Sequence, residues 1–263
     1  MKLVISGGGK MGEALLAGVL RAQWCDASEV AVAEPDAERR AVLARLFTGV
    51  HVADAPVAAD GAIIAVKPGY VVDAASALAG VGVRRVLSIA AGVSTATIES
   101  ALPAGTPVVR AMPNTPALIG AGAAAIAPGE TATDDDVAWA ESILSAVGIV
   151  ERVDEALLDA VTGLSGSGPA YVFLVAEAMI AAGDAVGLPH ETAVRLAIQT
   201  VMGAGRMLAE SGQSPEELRA AVSSPNGTTV AGLGVLDERE VRDAFRAAVV
   251  RATQRSQELG RGE

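Results

Sequence analysis

The sequence predicts an α/β protein in two parts: a doubly wound sheet with helices on both faces over residues 1–151, then an all-helical domain over 152–263. Three observations predict it. Short apolar runs rich in Val and Ile alternate with helix-length segments up to about residue 150, the pattern of βαβ units around a parallel sheet. Beyond that point the strand-like runs stop. A glycine cluster, GGGKMG, stands between the first apolar run and the first helical segment, where the turn of such a unit falls.

Taken in order, LVIS leads into a helix over 10–22, VAVAE into one over 36–46, AIIAV into one over 69–79 and RVLSI into one over 94–101, with PVVRAM the last strand read. Four helices are then expected, at 152–163, 169–186, 190–211 and 238–258, with shorter pieces between 214 and 236. The segment 169–186 carries only Glu177 and Asp184 as charges, and a helix apolar nearly all round must be enclosed. A domain of about 110 residues has little interior for a whole helix, so burial against a second copy of the chain is expected. Cover by neighbouring helices of the same chain is the alternative.

Composition narrows the partners. Half of the chain is hydrophobic (51%) but only 3% is aromatic, so the core must be assembled from many small aliphatic contacts. A net charge of -11, with no basic run longer than Arg39-Arg40 or Arg84-Arg85, argues against nucleic acid. One cysteine, Cys25, and two histidines, His51 and His190, leave no disulfide and no metal-ligand cluster, and a reducing, cytoplasmic setting is expected. The longest uncharged stretch, 111–129, is broken by Pro113, Asn114, Pro116 and several glycines, so no membrane segment is expected. His51 reads as a packed residue, His190 as a helix-start residue, Cys25 as filler, and Trp139 as the apolar face of a helix capped by Asp134–Asp136.

The chemistry gathers in five short motifs. In GGGKMG, Gly7 permits a tight turn, Gly9 lets backbone approach a pyrophosphate and Gly12 lets the helix sit close to the strand, the fingerprint of a Rossmann-type dinucleotide site. The helix N-terminus there favours anions, and Lys10 adds a cation. Glu34, about 22 residues beyond Gly12, is placed to accept from a ribose 2'-hydroxyl, which favours NADH unless Arg39 or Arg40 turns inward to neutralise it. With Pro35 and Asp36 it can equally begin a helix, so the adenosine end stays open. Lys67 and Pro68, then Ser88–Ser94, then Arg110–Ala117 with Asn114 between prolines, follow later strands at the same carboxyl edge. Two further motifs, with Ser165, Gly166, Ser167 and Gly168 before Pro169, and Ser223, Ser224, Asn226, Gly227, Thr228 and Thr229 before a short helix, read as anion sites at helix starts.

GGGKMGEALL, AIIAVKP, SIAAGVS, VVRAMPNTPA, GLSGSGPAY and above all VSSPNGTTVAGL, in this order and spacing, strongly resemble the pyrroline-5-carboxylate reductase family over essentially the whole chain. The resemblance implies reduction of the cyclic imine of 1-pyrroline-5-carboxylate to L-proline by hydride from NADPH or NADH. It implies a homodimer with interlocked helical domains and a shared active site, able to assemble as a decamer of five dimers. Carried over by position, Ser6, Gly7, Gly8, Gly9, Lys10, Met11 and Gly12, with Ala65, Val66, Lys67 and Pro68, and with Ile89, Ala90 and Ala91, contact the cofactor, joined by Glu34 and Asn114. Ser224, Gly227, Thr228 and Thr229 form the substrate pocket, with the Thr229 hydroxyl at the imine nitrogen and Lys67 as a second catalytic group. Lys10, Glu34 and Asn226 depart from the family pattern, and Glu34 is the departure that bears on NADPH. Lysines occur only at positions 2, 10 and 67, which leaves the helical domain without the base of a 3-hydroxyacid dehydrogenase. A reductase of a related cyclic imine acid and a non-catalytic dinucleotide-binding sensor dimer remain as alternatives.

Overall fold

The computed structural model describes residues 1–261. By internal contacts the chain divides into two compact units, one of residues 1–167 with 250–263 and one of 168–249.

The first unit is an eight-stranded sheet: β1 (Leu3–Ser6), β2 (Val30–Ala33), β3 (His51–Ala53), β4 (Gly61–Ile64), β5 (Val86–Ser88), β6 (Val108–Met112), β7 (Gly122–Pro128) and β8 (Gly148–Arg152). Their spatial order is β3-β2-β1-β4-β5-β6-β7-β8, and every pairing is parallel except β6 with β7. Alternation along single strands explains the double winding. Leu3, Ile5, Ile63, Leu87 and Val109 enter one buried cluster, whereas Val4, Ala62, Ile64, Val86 and Val108 enter another. On the first face pack α1 (Lys10–Arg21), through Leu15, Leu16 and Val19, and α5 (Asp134–Leu144), through Val137, Ile143 and Leu144. Leu43 of α2 (Ala37–Leu46) joins that cluster. On the second face pack α3 (Val71–Gly80), through Val71, Ala75 and Leu78, and α4 (Thr95–Glu99), through Ile98. Strands buried on both faces read as unbroken aliphatic runs, which is why LVIS and VAVA are legible in the sequence.

Three strands lie outside those runs. β7 reads GAAAIAP, and alanine and glycine carry little strand propensity; pairing on both sides with β6 and β8 makes it extended. β3 is three residues long at the sheet edge, and β8 alternates exposed and half-buried positions. His51, expected as a packed residue, is exposed at the start of β3. The helix expected over 152–163 is instead a 3-10 turn (Glu155–Leu157), a single α-turn α6 (Leu158–Val161) and a π-turn (Thr162–Gly166). Trp139 is buried as read, and its helix is capped by a reciprocal Thr133–Asp136 box. Cys25 is buried, and that burial pushes its thiol pKa up, which suits a packing role.

The second unit contains α7 (Gly168–Ala185), α8 (His190–Glu210), α9 (Pro215–Ala221), α10 (Thr228–Glu238) and the beginning of α11 (Val241–Gly260). Among the described residues from 168 to 249, only Ala193 and Ala197 are buried, while Phe173, Leu174 and Val186 are 61%, 63% and 81% exposed. Within 155–185 lies an 18-residue helical stretch of the length and apolar composition that crosses a membrane, and none of that stretch is buried in the single chain.

Candidate functional site

A cavity of about 590 Å³ opens along the carboxyl ends of β1 to β4. Ser6, Gly7 and Gly9 line it from the β1 end, Ala33, Glu34 and Pro35 from the β2 end, Asp54 and Pro56 from beyond β3, and Ala65, Val66, Lys67 and Tyr70 from beyond β4. In open α/β sheets ligands sit outside these strand ends, where the chain connections diverge to the two faces.

The fold requires two of the three glycines and leaves the third to a ligand. Gly7 has φ of +107°, and a Cβ there would stand 2.5 Å from the Ala65 carbonyl oxygen. A Cβ on Gly12 would stand 2.1 Å from the Gly7 carbonyl oxygen, so α1 can begin this close to the turn only without a side chain. At Gly9 a Cβ would meet nothing within 4 Å. The protein itself therefore does not demand glycine at position 9, and the open space beside it in the cavity fits a bound group that approaches the backbone. No side chain caps α1, so the N–H groups of its first turn remain available to an anion. A dinucleotide pyrophosphate fits that arrangement.

Around the loop the charged residues are tied to backbone. The Gly8 N–H donates to Glu34 Oε2 at 2.8 Å and the Asp36 N–H to Oε1 at 2.9 Å. Arg39 donates to the Gly8 carbonyl and pairs with Glu13, and Arg40 donates to the carbonyls of Glu34 and Pro35 at 2.8 and 2.7 Å. Lys67 is exposed at the mouth, just before a 3-10 turn that Pro68 begins. Lys10, Met11 and Gly12 form the first turn of α1. Ile89, Ala90 and Ala91 follow β5 without lining the cavity. Asn114 is buried, and both ends of its amide hold the fold: its Nδ2 donates to the Ser165 carbonyl at 3.1 Å, and its Oδ1 accepts from the Ala123 N–H at 2.9 Å.

Beside this edge Arg110, 7% exposed, meets Glu155, which also accepts from the Thr95 N–H and hydroxyl at 2.8 and 2.7 Å. Burial opposes the charge on Glu155, but the bonds from Thr95 and Arg110 outweigh it and hold the carboxyl below its ordinary range. The network fixes the start of α4, directly after the 88–94 turn.

The two serine-rich motifs have different fates. The Ser165 hydroxyl donates to the Val161 carbonyl and the Ser167 N–H to the Thr162 carbonyl, so the π-turn uses groups that were expected to stand free at a helix start. In the other, Gly227 is the N-cap of α10, and Thr228 and Thr229 open that helix. Asn226 adopts φ of +58°, and the Gly227 N–H closes the turn onto the Ser224 carbonyl at 3.0 Å. Ser223 donates to the Arg219 carbonyl, whereas the hydroxyls of Ser224, Thr228 and Thr229 make no hydrogen bond among the described residues.

Sequence reasoning did not reach Asp54, Pro56, Tyr70, Asp73, Ala74 and Ala77, which also line the cavity. Asp54 follows the unread strand β3, so recognising that strand would have placed it. Tyr70 belongs to the turn after Lys67, and Asp73, Ala74 and Ala77 belong to α3.

A family model described as pyrroline-5-carboxylate reductase dimerisation matches residues 155–259, and one described as NADP oxidoreductase coenzyme F420-dependent matches residues 2–92. A pyrroline-5-carboxylate reductase of Corynebacterium melassecola is 41% identical, over 98% of both chains. One of Synechocystis is 43% identical, over 99% of both. Among solved structures, a pyrroline-5-carboxylate reductase from Coxiella burnetii superposes with a TM-score of 0.91 at 36% identity, covering 98% of both chains. The Plasmodium falciparum pyrroline carboxylate reductase, solved with NADP bound, gives 0.85 at 27%, over 99% of this chain and 98% of the other.

Proposed function

The chain belongs to the pyrroline-5-carboxylate reductase family, and we propose from that membership that it reduces 1-pyrroline-5-carboxylate to L-proline with a nicotinamide dinucleotide. The observation that carries the reading is the match along the whole chain, which joins the glycine-loop cavity and the Ser224–Thr229 turn in one protein. Gly7, Gly9 and the first turn of α1 hold the pyrophosphate; Lys67, at the β4 end of the cavity, serves the nicotinamide side. The nicotinamide, when bound, supplies the hydride.

The remaining chemistry asks little of the protein. Hydride addition to the imine carbon leaves negative charge on the nitrogen unless a proton reaches it, so orientation and one hydrogen bond donated to that nitrogen carry most of the rate. Thr229 provides that hydrogen bond from the second residue of α10, while its hydroxyl has no competing partner among the described residues. The substrate carboxylate takes the hydroxyls of Ser224 and Thr228 and the first-turn N–H groups of α10, beside the turn that Gly227 closes, an anion site without arginine. The enzyme is a homodimer whose exposed apolar α7 is covered by a second copy; the proposal extends to a site shared between subunits and to a decamer of five dimers.

Purified protein mixed with pyrroline-5-carboxylate and NADH or NADPH is expected to oxidise the coenzyme and form proline. Absence of proline with both coenzymes would end the reading. Thr229→Val is expected to leave coenzyme affinity intact and to lower turnover by roughly 10²-fold, the low end for loss of a proton-donating group. An unchanged rate removes Thr229 from the chemistry.

A further inference from the structure

We infer that Glu34 makes this chain select NADH over NADPH; the inference rests on the coenzyme-dependent reading above and names the coenzyme. Glu34 stands at the end of β2 and lines the cavity, where the acidic residue of a dinucleotide fold meets the adenosine ribose. Its side chain is held from both sides. Oε2 accepts from the Gly8 N–H at 2.8 Å and Oε1 from the Asp36 N–H at 2.9 Å. Two backbone donors fix the carboxylate in position, so it does not swing aside when another anion arrives. Gly8 is part of the device. A Cβ there would stand 2.5 Å from Leu43 Cδ1 and 3.2 Å from Glu34 Oε2, so the tether exists because position 8 has no side chain.

The surrounding charges do not offset Glu34. Arg39 points to the Gly8 carbonyl and to Glu13, Arg40 to the carbonyls of Glu34 and Pro35, and neither lines the cavity. The other ionisable residues of the lining are Asp54, Lys67, Tyr70 and Asp73. Asp54 follows β3, beside the β2 end that carries Glu34, whereas Lys67 follows β4, on the far side of β1. The adenosine end thus presents two carboxylates and no lining cation. A ribose 2'-hydroxyl donates to a carboxylate oxygen that still has a lone pair. A 2'-phosphate is acceptor-only at neutral pH, carries close to two negative charges and is repelled.

Kinetics with both coenzymes, paired with calorimetric binding of NAD+ and NADP+ in the absence of imine, test the inference. The wild type is expected to prefer NADH in kcat/KM by roughly 10²-fold, with the difference in KM, and raising salt is expected to narrow the gap by screening the 2'-phosphate. Glu34→Gln, which keeps the shape, is expected to lower the preference about tenfold by improving NADPH. Glu34→Ser is expected to bring NADPH level with NADH or beyond it, because the repelling carboxylate is gone and the Gly8 N–H becomes available to the phosphate. Equal use of the two coenzymes by the wild type, or an equal loss for both in Glu34→Ser, overturns the assignment. The binding arm separates the two readings. A preference for NAD+ without imine reduction keeps the coenzyme assignment and removes the substrate, whereas imine reduction with no coenzyme preference does the reverse.

Discussion

The two compact units solve the burial problem differently. In the sheet unit, Leu3, Ile5, Leu15, Leu16, Ile63 and Leu87 are wholly enclosed by helices of the same chain. In the helical unit two alanines are the only buried residues described, and Phe173, Leu174, Met202 and Val235 stand open to solvent. Exposed apolar surface of that extent marks an interface. A parallel sheet closes its own core because each crossover helix lies on the strands it connects, whereas a helix that is apolar all round needs neighbours on every side. One unit is complete as a single chain; the other is completed by a second copy.

The hardest test of that contrast is Leu174→Asp. Burying an unpaired carboxylate is expected to cost about 4 kcal/mol, roughly a thousandfold in self-association. Sedimentation should show monomer, imine reduction should vanish, and calorimetry should still find coenzyme bound by the sheet unit; a persistent active dimer breaks the contrast. Gly12→Ala is the converse. Its Cβ would lie 2.1 Å from the Gly7 carbonyl oxygen, so α1 must shift, at about 1–3 kcal/mol for such overpacking. Coenzyme KM is expected to rise at least tenfold while the dimer survives, and unaltered KM would show that the loop tolerates the methyl group.

The smallest effect concerns the sheet unit alone. Glu155→Gln removes the charge from hydrogen bonds to Thr95 and Arg110 and is expected to lower stability at neutral pH by about 2 kcal/mol, the scale of a hydrogen bond to a charged group. Its carboxyl is held below the ordinary value, so its contribution is present above the unfolded-state pKa and is lost as the pH falls through the folded-state one. Urea midpoints of wild type and variant should therefore converge on acidification, and a gap that stays constant with pH would exclude ionisation as the cause.

Features that depend on near neighbours are legible in the chain itself. The glycine loop is one, since Gly7, Gly9 and Gly12 act within six residues, and the aliphatic strands and the turn around Asn226 are others. The long helices at 169–186 and 190–211 correspond to α7 and α8 to within one residue at each end. β7 is not legible, because GAAAIAP becomes a strand through partners on both edges rather than by its own preference. Nor is the task of Asn114, whose partners Ala123 and Ser165 lie 9 and 51 residues away.

By itself the sequence determined the alternation of strands and helices, the dinucleotide loop, the need of α7 for cover and the family, because periodicity, backbone freedom and motif spacing are local properties. Only the tertiary structure decided what the adenosine end presents. Glu34, Arg39 and Arg40 are near one another in the chain and suggest opposite coenzymes. Their balance is set by Gly8 and Glu13, brought against them when β1 and β2 pair side by side, which ties the carboxylate into the cavity and draws the Arg39 guanidinium away from it, while Arg40 turns onto the carbonyls of Glu34 and Pro35.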